Sequence, residues 1–132
     1  MNKDDFLLDT HALIFWSNKT TVSAEFIQFC NEKADNEALY VSSISFWETA
    51  LLARKGRIDI ADVHTWKNAI FMNTNLRQIH PTATDMINSA LLPWHHKDPF
   101  DRLLIAQAQR HQLTIVTRDA IMKNYTVSQI WV

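Results

Sequence analysis

Short apolar runs alternate with longer stretches whose apolar residues recur every three or four positions. Phe6-Leu7-Leu8 is a continuous run of the kind found in a strand buried on both faces. From Thr21 to Ala34, Val22, Phe26, Ile27 and Cys30 fall at helical spacing, with Ser23 or Thr21 placed to cap. Leu39-Tyr40-Val41 predicts a second strand. Ser42-Ser43 then offers an N-cap to a helix carrying Ile44, Phe46, Trp47, Leu51 and Leu52. Arg54-Lys55-Gly56 closes that helix, with bases in the last turn and glycine just after. Asp62 opens a further helix with Val63, Trp66, Ala69 and Ile70. Gln78-Ile79-His80, ahead of Pro81, predicts a short strand, and Thr82 to Leu91 a short helix stopped by Pro93. Asp98-Pro99 combines an N-cap with proline at the first helical position, and the helix runs to about His111. Leu113 to Thr117 is the clearest strand. Ala120 to Lys123 predicts a helical turn, and Val127 to Val132 an edge strand.

Strands separated by helices, with connections too long for hairpins, indicate a parallel sheet covered on both faces. The expected fold is α/β: a three-layer α/β/α sandwich with a central parallel sheet, in one domain spanning 1–132. Hydrophobic residues make up 47% of the chain, enough for a real core and against disorder. Thirteen Lys+Arg against fourteen Asp+Glu give a net charge of −1, so bulk basicity is no route to nucleic acid. The lone cysteine, Cys30, excludes an intrachain disulfide and a cysteine zinc site. The single glycine, Gly56, excludes a Walker A loop and a Gly-x-Gly-x-x-Gly turn. No apolar run is long enough to span a bilayer, and the start Met1-Asn2-Lys3-Asp4-Asp5 is acidic where a signal peptide is basic. A soluble cytoplasmic protein without a membrane partner is expected.

In an open parallel sheet, functional groups gather beyond the carboxyl ends of the strands. Asp9 directly follows the first strand, and Asp119 comes two residues after the last strong one. Glu48 lies on the helix after Leu39-Tyr40-Val41. Asp98 and Asp101, three apart, share one face at the start of the helix leading into the last strong strand. Each has an ordinary alternative. Asp9, Asp98 and Asp119 are placed to cap, Asp101 suits the helix dipole, and Glu48 could face solvent. Jointly they suggest five carboxylates converging on one sheet edge, which then need a cation or protons. Oxygen ligands with open positions suit Mg²⁺ or Mn²⁺, and such ions promote phosphodiester hydrolysis. The six histidines lack His-x-x-x-His spacing and read as surface or hydrogen-bonding residues. Of the five tryptophans, Trp94 is expected exposed and the rest, Trp47 among them, mostly on apolar faces in the core or at an interface.

Four segments carry a resemblance: Leu7-Leu8-Asp9-Thr10-His11-Ala12, Ser42-Ser43-Ile44-Ser45-Phe46-Trp47-Glu48, Asp98-Pro99-Phe100-Asp101-Arg102-Leu103-Leu104-Ile105-Ala106-Gln107-Ala108 and Thr117-Arg118-Asp119. They resemble the signature blocks of PIN domains, above all the VapC type, the toxins of toxin–antitoxin pairs. The resemblance covers nearly the whole chain, and the Asp-Pro-Phe-Asp-Arg block is its most specific part. It implies an endoribonuclease, dependent on Mg²⁺ or Mn²⁺, that hydrolyses single-stranded or loop RNA. It implies that Asp9, Glu48, Asp101 and Asp119 are catalytic and bind metal, with Asp98 a further metal-binding carboxylate, and that Thr10 and Thr117 support them. It also implies a homodimer and a cognate antitoxin whose tail reaches the acidic site. Relatives often carry a glycine just before the last strong strand, where this chain has Arg110-His111-Gln112.

Arg102 and Lys97 are the candidates for contacting RNA phosphates, Arg102 foremost for its place beside Asp101, with Arg54, Lys55 and Arg57 in reserve. Two other readings compete: a non-catalytic PIN-like binding module, and an α/β domain working through an aspartyl phosphate. The latter lacks an acid pair after the first strand and the Asp-x-Asp pattern, since Thr10-His11 follows Asp9.

Overall fold

Why Asp9, Glu48 and Asp119 meet is visible in the order of the strands. In the computed structural model, which describes residues 4–132, β1 (Phe6–Leu8), β2 (Leu39–Ser42), β3 (Arg77–Ile79), β4 (Thr114–Val116) and β5 (Gln129–Ile130) form one sheet in the order β3-β2-β1-β4-β5. Every pairing is parallel: Leu7 lies opposite Tyr40 on one side and Ile115 on the other. The chain reverses its direction of travel across the sheet at β1, between β2 and β4. That switch point is where a ligand crevice forms in such sheets. Met1, Asn2 and Lys3, part of the acidic start discussed above, lie outside the described residues.

Alternate strand residues face opposite layers. Leu8, Leu39, Val41 and Val116 pack with Leu13, Trp16, Phe26, Cys30 and Ile70, which come from α1 (Thr10–Asn18), α2 (Ala24–Asp35) and α4 (Val63–Asn73). Leu7, Tyr40, Ile79 and Ile115 pack with Leu104, Ile105 and Ala108 of α6 (Pro99–His111) and with Met122 and Tyr125. The two layers and the sheet between them are the sandwich that the sequence pattern predicts. Leu7, Leu8, Val41, Ile115 and Val116 are wholly buried, which is why their strands read as continuous apolar runs.

Local chemistry fixes the helix ends. Ser23, rather than Thr21, caps α2, its hydroxyl accepting from Phe26 N at 3.1 Å. Ser42 Oγ accepts from Ile44 N at 3.3 Å at the start of α3 (Ile44–Arg54), while Ser43 makes no side-chain cap bond. Asp62 caps α4. Thr82 and Asp85 form a reciprocal capping box on α5 (Ala83–Leu91). The helical turn is a 3₁₀ helix over Ala120–Asn124. The last strand is shorter than the pattern predicts, Gln129–Ile130 only. Trp47 is outside the core, at 60% exposure. The stretch Arg110-His111-Gln112 turns without a glycine: Gln112 adopts the left-handed conformation (φ 58°, ψ 44°) just past α6.

Candidate active site

Each acid is set by the element that carries it. Asp9 follows β1 and caps α1, its Oδ1 accepting from Ala12 N at 2.8 Å, and the nearby Thr117 hydroxyl favours its charged form. Asp98 caps α6, accepting from Phe100 N at 2.9 Å, with Pro99 in the first turn. Capping and membership of the cluster are therefore compatible in one side chain. Asp101 lies in the first turn of α6. Asp119 is held just beyond β4, its N–H donating to Thr117 Oγ1 at 3.0 Å. Glu48 is buried on α3 near Thr10, whose hydroxyl donates to Ser45 Oγ at 3.0 Å and favours the charged carboxylate.

The cluster is electrostatically uncomfortable. Burial, then the proximity of Asp98, Asp9, Glu48 and Asp119, pushes the Asp101 carboxyl up to about 8. Burial likewise raises Asp9 and Glu48 above the ordinary carboxylate range. Glu48 Oε1 is buried with no hydrogen-bond partner among the described residues. An orphaned carboxylate oxygen beside mutually repelling acids is what a hard divalent cation relieves, so the donor set fits Mg²⁺ or Mn²⁺.

One participant is absent from the sequence reading. His96 Nε2 lies 2.7 Å from Asp119 Oδ2 and 2.9 Å from Asp101 Oδ2. Its Nδ1 accepts from Asp98 N at 3.1 Å. A bare Nδ1 puts the proton on Nε2, so the ring bridges the two carboxylates through one N–H. His96, Asp101 and Asp119 bring one ligand atom each within 4.8 Å of one another.

A loop clamp places His96. The hydroxyl of Tyr125 accepts from His96 N at 2.8 Å and donates to Pro93 O at 2.8 Å. Arg102 completes the clamp and corrects an expectation. Only 4% exposed, it donates from Nη1 to Pro93 O (2.9 Å) and His96 O (3.2 Å), and from Nη2 to Ser89 O and Leu92 O (2.8 Å each). Trp94 covers its guanidinium at 4.2 Å. Arg102 faces away from any substrate because one residue along a helix turns the side chain by about 100° from Asp101. Its fork is occupied by carbonyls, so the expected phosphate contact does not form. Lys97 is exposed beside His96 and Asp98. Arg54, Lys55 and Arg57 are exposed at the far end of α3, Arg54 about 9 Å of helix rise beyond Glu48.

Asp9, His96, Asp98, Asp101 and Asp119 line a cleft of about 410 Å³, with His11, Phe15, Arg118 and Trp131 on its other walls. Glu48 is coupled to these acids but does not line the cleft. Sequence comparison decides the family: a profile of the PIN domain matches residues 6–127. The chain belongs to the PIN domain family. Within it the chain is of the VapC type, and it is similar to ribonuclease VapC22 of Mycobacterium tuberculosis, 31% identical over 122 residues and 90% of each chain. Its fold is shared with VapBC2 from Rickettsia felis bound to a promoter DNA fragment (TM-score 0.73, 18% identity, 96% of this chain and 98% of that one). DNA-bound VapBC from Salmonella typhimurium is similar too (TM-score 0.72, 16% identity, 99% and 98%). This PIN domain gathers the five motif acids from four segments at one edge of its sheet.

Proposed function

We propose that this PIN domain is a divalent-metal-dependent endoribonuclease that hydrolyses single-stranded or loop RNA, and the toxin of a toxin–antitoxin pair. Asp9, Asp101 and Asp119 would hold Mg²⁺ or Mn²⁺, with Glu48 and Asp98 completing the charge. When bound, such an ion supplies a water made acidic enough to attack and offsets charge on the phosphoryl oxygens. The observation that carries the reading is the gathering of Asp9, Asp98, Asp101 and Asp119 around one cleft, with Glu48 among the charges that oppose Asp101. Acids assembled against such repulsion are consistent with a resident cation.

The chain's own groups orient the acids. The Thr117 hydroxyl accepts from the Asp119 N–H and stands beside Asp9, and Thr10, bonded to Ser45, stands beside Glu48. His96 keeps its ring proton at Nε2 between Asp101 and Asp119 and so fixes how those two carboxylates sit relative to each other. Arg102 and Tyr125 hold the loop that presents that ring.

The toxin reading includes a cognate antitoxin partner, supported by likeness to ribonuclease VapC22 and to the VapBC complexes, and it extends to a homodimer. No helix among the described residues is long and apolar enough to cross a membrane. The test is cleavage of single-stranded RNA by purified protein with Mg²⁺ or Mn²⁺. Activity should vanish with chelator and with Asp9→Asn, and activity that survives both overturns the reading. Growth arrest on expression, absent for Asp101→Asn, separates a nuclease from a non-catalytic binding module.

A further inference from the structure

Arg118 is an exposed cation in a cleft otherwise lined by acids, rings and histidines. Among the described residues lining that cleft it is the only lysine or arginine. It nevertheless forms no ion pair with Asp9, Asp101 or Asp119 among the described residues. Its guanidinium lies 4.7 Å from the Phe15 ring centroid and 4.6 Å from that of Trp131, and Nη2 donates to Thr21 O at 2.6 Å. Thr21 presents that carbonyl from a left-handed backbone (φ 58°), a strained conformation for a β-branched residue.

These contacts hold the side chain without consuming its fork. Phe15 and Trp131 meet edge to face at 82°, so the guanidinium sits in the corner between them, and among the described residues only the bond from Nη2 to Thr21 O uses its N–H donors. A group held this way loses little conformational entropy on binding an anion. A phosphodiester offers two non-bridging oxygens that match the remaining donors. The other basic candidates do not line this cleft: Arg102 is bound to carbonyls, and Arg54, Lys55 and Arg57 lie at the far end of α3.

We propose that Arg118, held in the corner between Phe15 and Trp131, is a phosphate subsite that holds the RNA phosphate next to the one being cleaved. The inference rests on the ribonuclease reading and deepens it, by naming where a strand is gripped when the reacting phosphate itself sits among acids. It also explains how a chain of net charge −1 holds a polyanion, through one placed cation rather than a basic surface.

The test compares wild type with Arg118→Gln on a single-stranded RNA oligonucleotide, with Mn²⁺, over a series of salt concentrations. The expected result is a KM raised by roughly tenfold with kcat within about threefold, as for loss of one charged hydrogen-bonded contact. The slope of log(kcat/KM) against log salt should become shallower by about 0.7, one single-strand phosphate contact. A purely structural role for Arg118 would lower Tm and leave that slope unchanged. Unchanged KM and slope in an active Arg118→Gln overturn the proposal and leave the ribonuclease reading standing. Wild type that cleaves no RNA with any divalent ion overturns both. If Arg118→Gln does not fold, single methylphosphonate linkages scanned along the RNA carry the test on wild type. A neutral linkage beside the scissile one should raise KM, and no such position overturns the proposal.

Discussion

Asp85 and Arg110 are joined by two parallel hydrogen bonds, Arg110 Nε to Asp85 Oδ1 at 2.6 Å and Nη2 to Oδ2 at 2.9 Å. The carboxylate is fully buried and also receives the Thr82 backbone N–H at 2.9 Å. The pair locks α5 to α6, the helix that carries Asp98 and Asp101. The Arg110 guanidinium, before any other group, holds the Asp85 carboxyl below its ordinary range. A lowered folded pKa means stability that is present above the unfolded pKa of about 3.8 and lost as pH falls through the folded value. Asp85→Asn should therefore lower stability by about 2–3 kcal/mol at pH 7. Thermal unfolding of the two proteins between pH 2 and 7 should show the difference in Tm shrinking on the acid side, below about pH 4.

Asp101 carries an opposite burden. Burial and its carboxylate neighbours oppose its charge, so Asp101→Asn should relieve the cluster while keeping an oxygen for the His96 N–H. In chelator the variant should melt several degrees above wild type. Added Mg²⁺ or Mn²⁺ should raise Tm of wild type more than that of the variant, and RNA cleavage by the variant should fall by at least about a hundredfold. A wild-type Tm indifferent to both ions would count against a metal site here.

Arg102→Lys replaces a planar fork with a point charge. It should cost about 2–4 kcal/mol, read by denaturant unfolding, since the carbonyls of Ser89, Leu92 and Pro93 lose their shared donor. Loosening the loop should lower kcat more than it raises KM, because what is disturbed is His96 and not a contact with substrate.

Gln112 occupies the left-handed position that ends α6. Side chains with a Cβ pay roughly 1 kcal/mol there, while glycine does not. Gln112→Gly should thus stabilise by about 0.5–1 kcal/mol and raise Tm by a few degrees without altering RNA cleavage.

The acids were legible from sequence because each obeys a short-range rule. Asp9 and Asp98 sit where caps belong, Asp119 follows a strand of buried β-branched residues, and Asp98-Pro99 announces a helix. Strand order, which the local pattern does not carry, is what brings them to one edge. His96 was illegible because its place depends on Tyr125, twenty-nine residues away, and on Arg102 gripping the loop from below. Arg118 was passed over for a comparable reason. Its two rings come from Phe15 near one end of the chain and Trp131 near the other. Arg102 misled because adjacency to Asp101 in sequence is not adjacency on a helix surface. Trp47 has apolar company in sequence but a place outside the core. It meets Phe100 edge-on at 5.2 Å, yet stays largely in solvent.

Cys30, wholly enclosed beneath α2, has a thiol pushed up to about 12 by burial. The chain's sole sulfhydryl is thereby silent while the fold is closed and ordinary once it opens. A thiol reagent added to the native protein should label it at the rate at which the layer of α1 and α2 detaches from the sheet. Divalent metal should slow that labelling if it holds Asp9 at the head of α1. The sulfur at the centre of one layer is in that sense a built-in stopwatch for the opposite event, the moment when the scaffold behind the acids lets go.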